Sequence, residues 1–241
     1  SRSWNPSTKT PAHANGNHFV RHRWHAVGQR PRVIVVNTQQ VPEAQWPRTL
    51  RDLGEARFKG RVGLCDATIG TALGHLAAIY ATEGEDATRA WLRALKANDV
   101  RTYPGNGAVA RAVATGEIHV GVVDLDDVLA GQANDWPVAV APMDARTSST
   151  QGLLSGGTMM TPGTIGLIAG GPNPAGGKRL IEFLCSEASE RALASGPQRW
   201  VPVRTSLANL TLDIVPADVP DWDRVHALTP SALKLWQEEM R

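Results

Sequence analysis

Five short runs rich in β-branched residues recur along the chain: RVIVVNT (Arg32–Thr38), RVGLCDA (Arg61–Ala67), VRTY (Val100–Tyr103), EIHVGVV (Glu117–Val123) and PVAVA (Pro137–Ala141). The first has the continuous apolar character of a strand covered on both faces. Between the runs the pattern turns helical. PRTLRDLG reads as a short helix closed by Gly54, followed by helices over Ile69–Ala81, Asp86–Ala97 with Trp91, Leu92 and Leu95 on one face, Asn106–Thr115, and a further one after Asp126. Such alternation specifies an α/β fold around a largely parallel sheet. In an open parallel sheet the carboxyl ends of the strands share one edge, so the turns at Thr68, Asn106 and Asp124 are expected to converge on one crevice.

The remainder is less regular. Residues 1–31 read as a basic, poorly ordered lead-in, and a Ser/Thr/Gly-rich loop over Thr147–Gly157 interrupts the alternation. The Gly and Pro of Thr158–Gly163 suit a hinge. Beyond it, GTIGLIAGG reads as a strand, Pro174–Leu193 as one long amphipathic helix, WVPV as a short extended piece and Thr229–Met240 as a terminal helix. With 42% hydrophobic and 20% charged residues, the composition is that of an ordinary globular chain and does not suggest disorder. No apolar run approaches the roughly 18 residues of a membrane helix. A net charge of +2 gives no support for bulk nucleic-acid binding. That charge is unevenly placed, because the first 32 residues hold six Lys or Arg and no acid. Cys65 and Cys185 stand far apart without metal or redox spacing and read as free, buried thiols.

Several motifs lead nowhere. GGPNPAGGKR has Pro172 and Arg179 where a phosphate loop needs Gly and Ser or Thr, and reads instead as a proline-stiffened turn capping a helix. GLLSGG has Leu153 where a nucleophile elbow needs Gly, and no pattern for hydrolysis is present. His18, His22 and His25 could gather on one side of a helix, but Arg21 and Arg23 oppose a cation there.

Two stretches carry more chemistry. In CDATIGTALGHLAAIY, Thr68, Gly70 and Thr71 lie between a strand and a helix, where free amides and hydroxyls form a cradle for an oxygen-rich or anionic group. Thr68 acting only as a helix cap is the plainer alternative. TYPGNGAVARAV puts Asn106 at an equivalent junction. In GVVDLDDVLAG, Asp124, Asp126 and Asp127 crowd the end of a strand. One acid at a helix start is favourable by about 0.3–1 kcal/mol, but three exceed what capping requires, since like charges raise one another's pKa. A hard metal ion, an amine or a hydroxyl-rich solute would relieve that repulsion.

The order of these landmarks, from RWHAVGQRPRVIVVNT through RVGLCDATIGT, WLRALKANDVRTYPGNGAVARAVATGEIHVGVVDLDD, PVAVA and GTMMTPGTIGLIAGGPNPAGGKRLIEFLCSEASERALA to WVPV, resembles the periplasmic ferric-iron-binding group of ABC-transporter solute-binding proteins. The resemblance runs from about Arg23 to the C-terminus. It implies a type 2 periplasmic-binding-protein fold, two α/β lobes with parallel-rich sheets closing on a solute in an interlobe cleft. It further implies a periplasmic or extracellular binding protein, not an enzyme, that hands its solute to an ABC permease. On this frame, residues 39–159 form lobe two, residues 32–38 and 160–210 hold hinge strands and what remains of lobe one, and residues 211–241 form a C-terminal helical segment. Lobe one is expected to lack its first βαβ portion. Thr68, Ile69, Gly70 and Thr71 match the turn that holds the anion bound with iron, and Asn106 matches a nearby cleft asparagine. Asp126 and Asp127 fall where iron binders have adjacent tyrosines, and Asp124 where an Asn often stands. Carboxylates there are candidate ligands for Fe³⁺, but they equally suit calcium, magnesium, a polyamine or a sugar hydroxyl cluster. A non-transporting interaction module with a basic N-terminal arm is the other expectation.

Overall fold

In the computed structural model the described residues are 24–144, 152–210, 217–218 and 220–240. The first strand, β1 (His25–Asn37), starts seven residues ahead of the expected Arg32, so His25 to Pro31 are strand and not lead-in. Residues 1–23, including His18 and His22, lie outside the described residues, as do 147–151 of the expected loop. Then follow β2 (Val62–Cys65), α1 (Gly70–Glu83), α2 (Glu85–Ala97), β3 (Arg101–Tyr103), α3 (Asn106–Ala114), β4 (Val120–Asp124), α4 (Leu125–Gln132) and β5 (Val138–Ala141). The chain continues through β6 (Thr158–Ile165), α5 (Pro174–Leu184), α6 (Glu187–Ser195), β7 (Ala217–Asp218) and α7 (Trp222–Met240).

The strands lie in the order β3-β2-β4-β1-β6-β7, with β5 also paired to β1. Parallel pairing holds for β2 with β3 and β4, and for β6 with β7. By contrast, β1 runs antiparallel to β4 and β5, in a register that sets Arg32 opposite Asp124. The five apolar strands of the sequence therefore do not form a purely parallel sheet. Only β2, β3 and β4, joined through α1, α2 and α3, have the crossovers that parallel neighbours need.

The chain divides into a larger unit, Pro31–Thr161 with Ile214–Arg241, and a smaller one, Ser1–Arg30 with Pro162–Asp213. In the larger unit Val33, Ile34, Val35 and Val36 are all buried, as a strand covered on both faces requires. On the α3 side of the sheet two glycines meet across β2 and β4, Gly63 opposite Gly121. A Cβ at Gly121 would stand 2.5 Å from Val109 Cγ1 and 2.9 Å from the Gly63 carbonyl, so the glycine pair is what lets α3 lie close to the sheet. Gly121→Ala should cost about 1–3 kcal/mol, read as a lower urea midpoint at unchanged slope; a shift under about a third of that lower bound would mean that α3 withdraws freely.

Three helices differ from expectation for identifiable local reasons. The run Pro174–Leu193 splits into α5 and α6 because the Ser186 hydroxyl accepts the Ser189 N–H (3.2 Å) and starts a new helix. At its other end, Asn173 accepts the Gly176 N–H (2.8 Å) and Pro174 takes the first turn of α5, which is the capping turn expected of GGPNPAGGKR. The terminal helix begins at Trp222 and not Thr229, since Asp221 accepts the N–H groups of Asp223 and Arg224 and the helix runs on through Pro230. β6 is continuous through Thr158–Gly163 and ends at Ile165, so GLIAGG is not strand, and the boundary between the two units falls within it, between Thr161 and Pro162. Thr158, Met159 and Met160 at its start are buried and anchor the strand ahead of that boundary.

α7 packs on α1 and α2, burying Ala232, Leu235 and Trp236, while Glu239 accepts from both Arg89 and Arg93. The smaller unit has its own centre: the Trp200 ring lies against Gly28 and Gly163, with the Arg30 guanidinium 5.4 Å from its centroid. Both cysteines are free; Cys65 is buried at the end of β2, whereas Cys185 just after α5 is only partly covered.

Candidate functional site

The turns after β2 and β3 and the end of β4 lie at one edge of the sheet, each leading into a helix. The residues before the first turns of α1, α3 and α4 are Ile69, Gly105 and Asp124, and none of these side chains caps its helix. Thr68 is therefore not the helix cap of α1. The first-turn N–H groups of three helices are left facing this edge without side-chain caps from those positions, each terminus carrying partial positive charge. Gly70 opens α1 with φ 65°, a left-handed conformation that glycine adopts without strain. Ile69 beside it is 69% exposed, an apolar side chain held in solvent next to polar groups.

Asp124 joins the three turns. Its Oδ2 accepts from Thr71 Oγ1 (3.0 Å) and from Asn106 Nδ2 (3.1 Å), and its Oδ1 accepts from Arg32 Nη1 (3.0 Å). The Arg32 Nη1 also donates to Asn106 Oδ1 at 3.0 Å. Arg32 and Asp124 are 3% and 1% exposed, so this is a buried, hydrogen-bonded ion pair. Thr71, Asn106 and Asp124 thus come together as the sequence placed them, but as a closed network around a cation that sequence reading did not include. Arg32 carried one weak signal, a charge beginning an otherwise apolar strand.

One oxygen from each of Asp124, Asp126 and Asp127 lies within 4.8 Å of the others, so this trio could hold a metal ion. The three differ in availability. Asp124 already neutralises Arg32, while Asp126 and Asp127 are half-buried in the first turn of α4. Burial, then the charges of Asp126 and Asp124, raise the Asp127 carboxyl to about 6, against opposing pulls from Arg32 and a backbone hydrogen bond from Asp124. That last bond is a helix-start contact, so capping accounts for part of Asp127. The repulsion inferred from the sequence is present at this residue, second to burial.

Because the folded-state pKa lies above the unfolded value of about 3.9, the protonated carboxyl favours the fold: the contribution is present below pH 4 and is lost as pH rises through about 6. Asp127→Asn should accordingly be more stable than the parent above pH 6, with the gap closing towards pH 4. Urea unfolding of both proteins across that range tests this, and superimposable profiles would contradict it.

From Asp127 a groove of about 830 Å³ runs between α3 and α4. Gly107, Ala108, Ala130 and Gly131 line it with little side-chain bulk, and Tyr103 and Trp136 are among its other residues, the Arg111 guanidinium lying 5.9 Å from the Trp136 ring centroid. Thr68, Ile69, Gly70 and Thr71 do not line this groove.

The family model described as "Bacterial extracellular solute-binding protein" matches residues 2–227. Among curated relatives, the Fe(3+)-binding periplasmic protein of Serratia marcescens is 35% identical over 101 residues, 42% of this chain and 29% of its own length. A putative 2-aminoethylphosphonate-binding periplasmic protein of Salmonella typhi is 28% identical over 205 residues, 80% of this chain and 58% of that one. The chain thus spans less than two thirds of either relative. Among solved structures, the ferric binding protein from Campylobacter jejuni superposes with a TM-score of 0.78 at 18% identity, covering 99% of this chain and 76% of that one. Iron-bound HitA from Pseudomonas aeruginosa gives 0.72 at 21% identity, covering 98% and 74%. Both likenesses concern the fold, which is the type 2 periplasmic-binding-protein one.

Proposed function

The chain belongs to the bacterial extracellular solute-binding proteins, and from that premise we propose that it captures a small solute bearing an oxygen-rich anionic head and a positively charged end. The reading rests on one observation: helix N-termini without side-chain caps and two half-buried carboxylates share one sheet edge, held there by the Arg32–Asp124 network. The amides of the Thr68–Thr71 turn and of the α3 start would receive the anionic oxygens. Asp126 and Asp127 would receive the positive end, either an amine or a metal ion accompanied by an anion. Relatives named for Fe³⁺ and for 2-aminoethylphosphonate are consistent with this division, since the second ligand carries an ammonium and a phosphonate in one molecule.

With Asp124 committed to Arg32, the donor set is poorer than a three-carboxylate metal site, which favours the zwitterion over a bare ion. The protein would act outside the cytoplasm, delivering its solute to an ABC permease, without chemical conversion of the solute. Calorimetric titration with 2-aminoethylphosphonate, ferric citrate, calcium chloride and putrescine tests the proposal. Binding of the first is the expected result, and no heat from any of the four would overturn it.

A further inference from the structure

Arg32 is 3% exposed, and its Nε–H has no hydrogen-bond acceptor among the described residues. An unpaired buried donor is destabilising, more so when charged, so a partner for this N–H is expected. Arg32 also lines a cavity of about 30 Å³ on the α1 side of the sheet, together with Cys65, His75, Trp91, Trp236 and the apolar Leu64 and Val122. A water needs about 10–15 Å³ of such space and two or more polar partners. Three polar groups in the lining are already directed elsewhere: the Cys65 thiol donates to the Asp66 carbonyl (3.6 Å), the Trp236 indole N–H to Asp66 Oδ1 (3.1 Å) and the Trp91 indole N–H to the Leu50 carbonyl (2.9 Å). His75 remains. It is 7% exposed and sits one helical turn beyond Thr71 on α1. Burial, and then the charge of Arg32, hold its imidazole well below the usual histidine range, so it is neutral and one ring nitrogen is an acceptor.

We propose that His75 is a positioning residue: through one ordered water in this cavity it holds the Arg32 Nε–H, and through Arg32 it fixes Asp124, Asn106 and Thr71 at the sheet edge. The guanidinium is then satisfied on both sides, by carboxylate and amide oxygens at the rim and by the water beneath. The hydrogen bond itself is independent of any ligand. Only its consequence for affinity rests on the solute site proposed above.

The test uses the full chain. A high-resolution crystal structure of the parent should contain a water in contact with Arg32 Nε and a His75 ring nitrogen. In ¹⁵N NMR spectra the Arg32 Nε–H signal should be protected from solvent exchange in the parent, lose protection in His75→Phe, and regain it in His75→Gln, which keeps an acceptor. Affinity for 2-aminoethylphosphonate should fall about tenfold in His75→Phe, the lower end of what loss of a supporting contact behind a binding site costs. A dry cavity, or an Arg32 signal indifferent to His75→Phe, overturns the proposal; His75→Leu serves if the phenylalanine variant does not fold. A signal that responds while affinity stays constant upholds the hydrogen bond and counts against the rim as the solute site.

Discussion

Asp124→Ala should destabilise the protein by about 3–5 kcal/mol, the largest effect expected of any single substitution at the site. The cause is the charge left behind. Arg32 is 3% exposed, so without Asp124 its guanidinium stays in the interior without the carboxylate hydrogen-bonded to it, and Thr71 and Asn106 each lose an acceptor. Replacing both partners removes the problem: Arg32→Met with Asp124→Leu should recover most of the lost stability, because a buried ion pair exchanged for apolar side chains is often neutral or better. Urea midpoints for the two single variants and the double one decide this, provided that the slope is unchanged. A loss below about 1 kcal/mol in Asp124→Ala, the range of exposed pairs, would show that water reaches the arginine.

The second large effect concerns the solute. A ligand present at a hundred times its dissociation constant adds about 2.7 kcal/mol to the stability of the form that binds it. Asp126→Asn combined with Asp127→Asn should abolish that gain for 2-aminoethylphosphonate while leaving the ligand-free protein folded, since Asp127 is already strained by burial and by its acidic neighbours. The two contributions separate cleanly: the amides should raise stability without ligand at neutral pH and erase the rise with it. Full retention of the ligand-induced shift would reduce both aspartates to helix-start residues. Asp124 is unsuitable for this experiment because its loss acts on folding first.

Much of the architecture could be read in advance because it is written in local pattern. The runs around Val33–Val36, Val62–Leu64 and Val120–Val123 became buried strands, and Trp91, Leu92 and Leu95 became the buried face of α2. Thr71, Asn106 and Asp124 were brought together because strand-to-helix turns of parallel strands open on one edge. Errors fell where one side chain competes with a periodic pattern. Ser186 divided a helix whose apolar spacing continued across it, and Asp221 began α7 ahead of the expected Thr229.

The sequence by itself determined the α/β class, the starts of the helices that follow β2, β3 and β4, and the crowding of three aspartates, since each depends on residues within a turn or two of one another. Only the tertiary structure decided the state of those aspartates. An antiparallel register placed Arg32 against a carboxylate 92 positions away, and no spacing along a chain encodes which strand will lie beside which. That pairing changed a set of like charges into one buried ion pair and two partly available acids, because burial makes the nearest opposite charge dominate over neighbours in sequence.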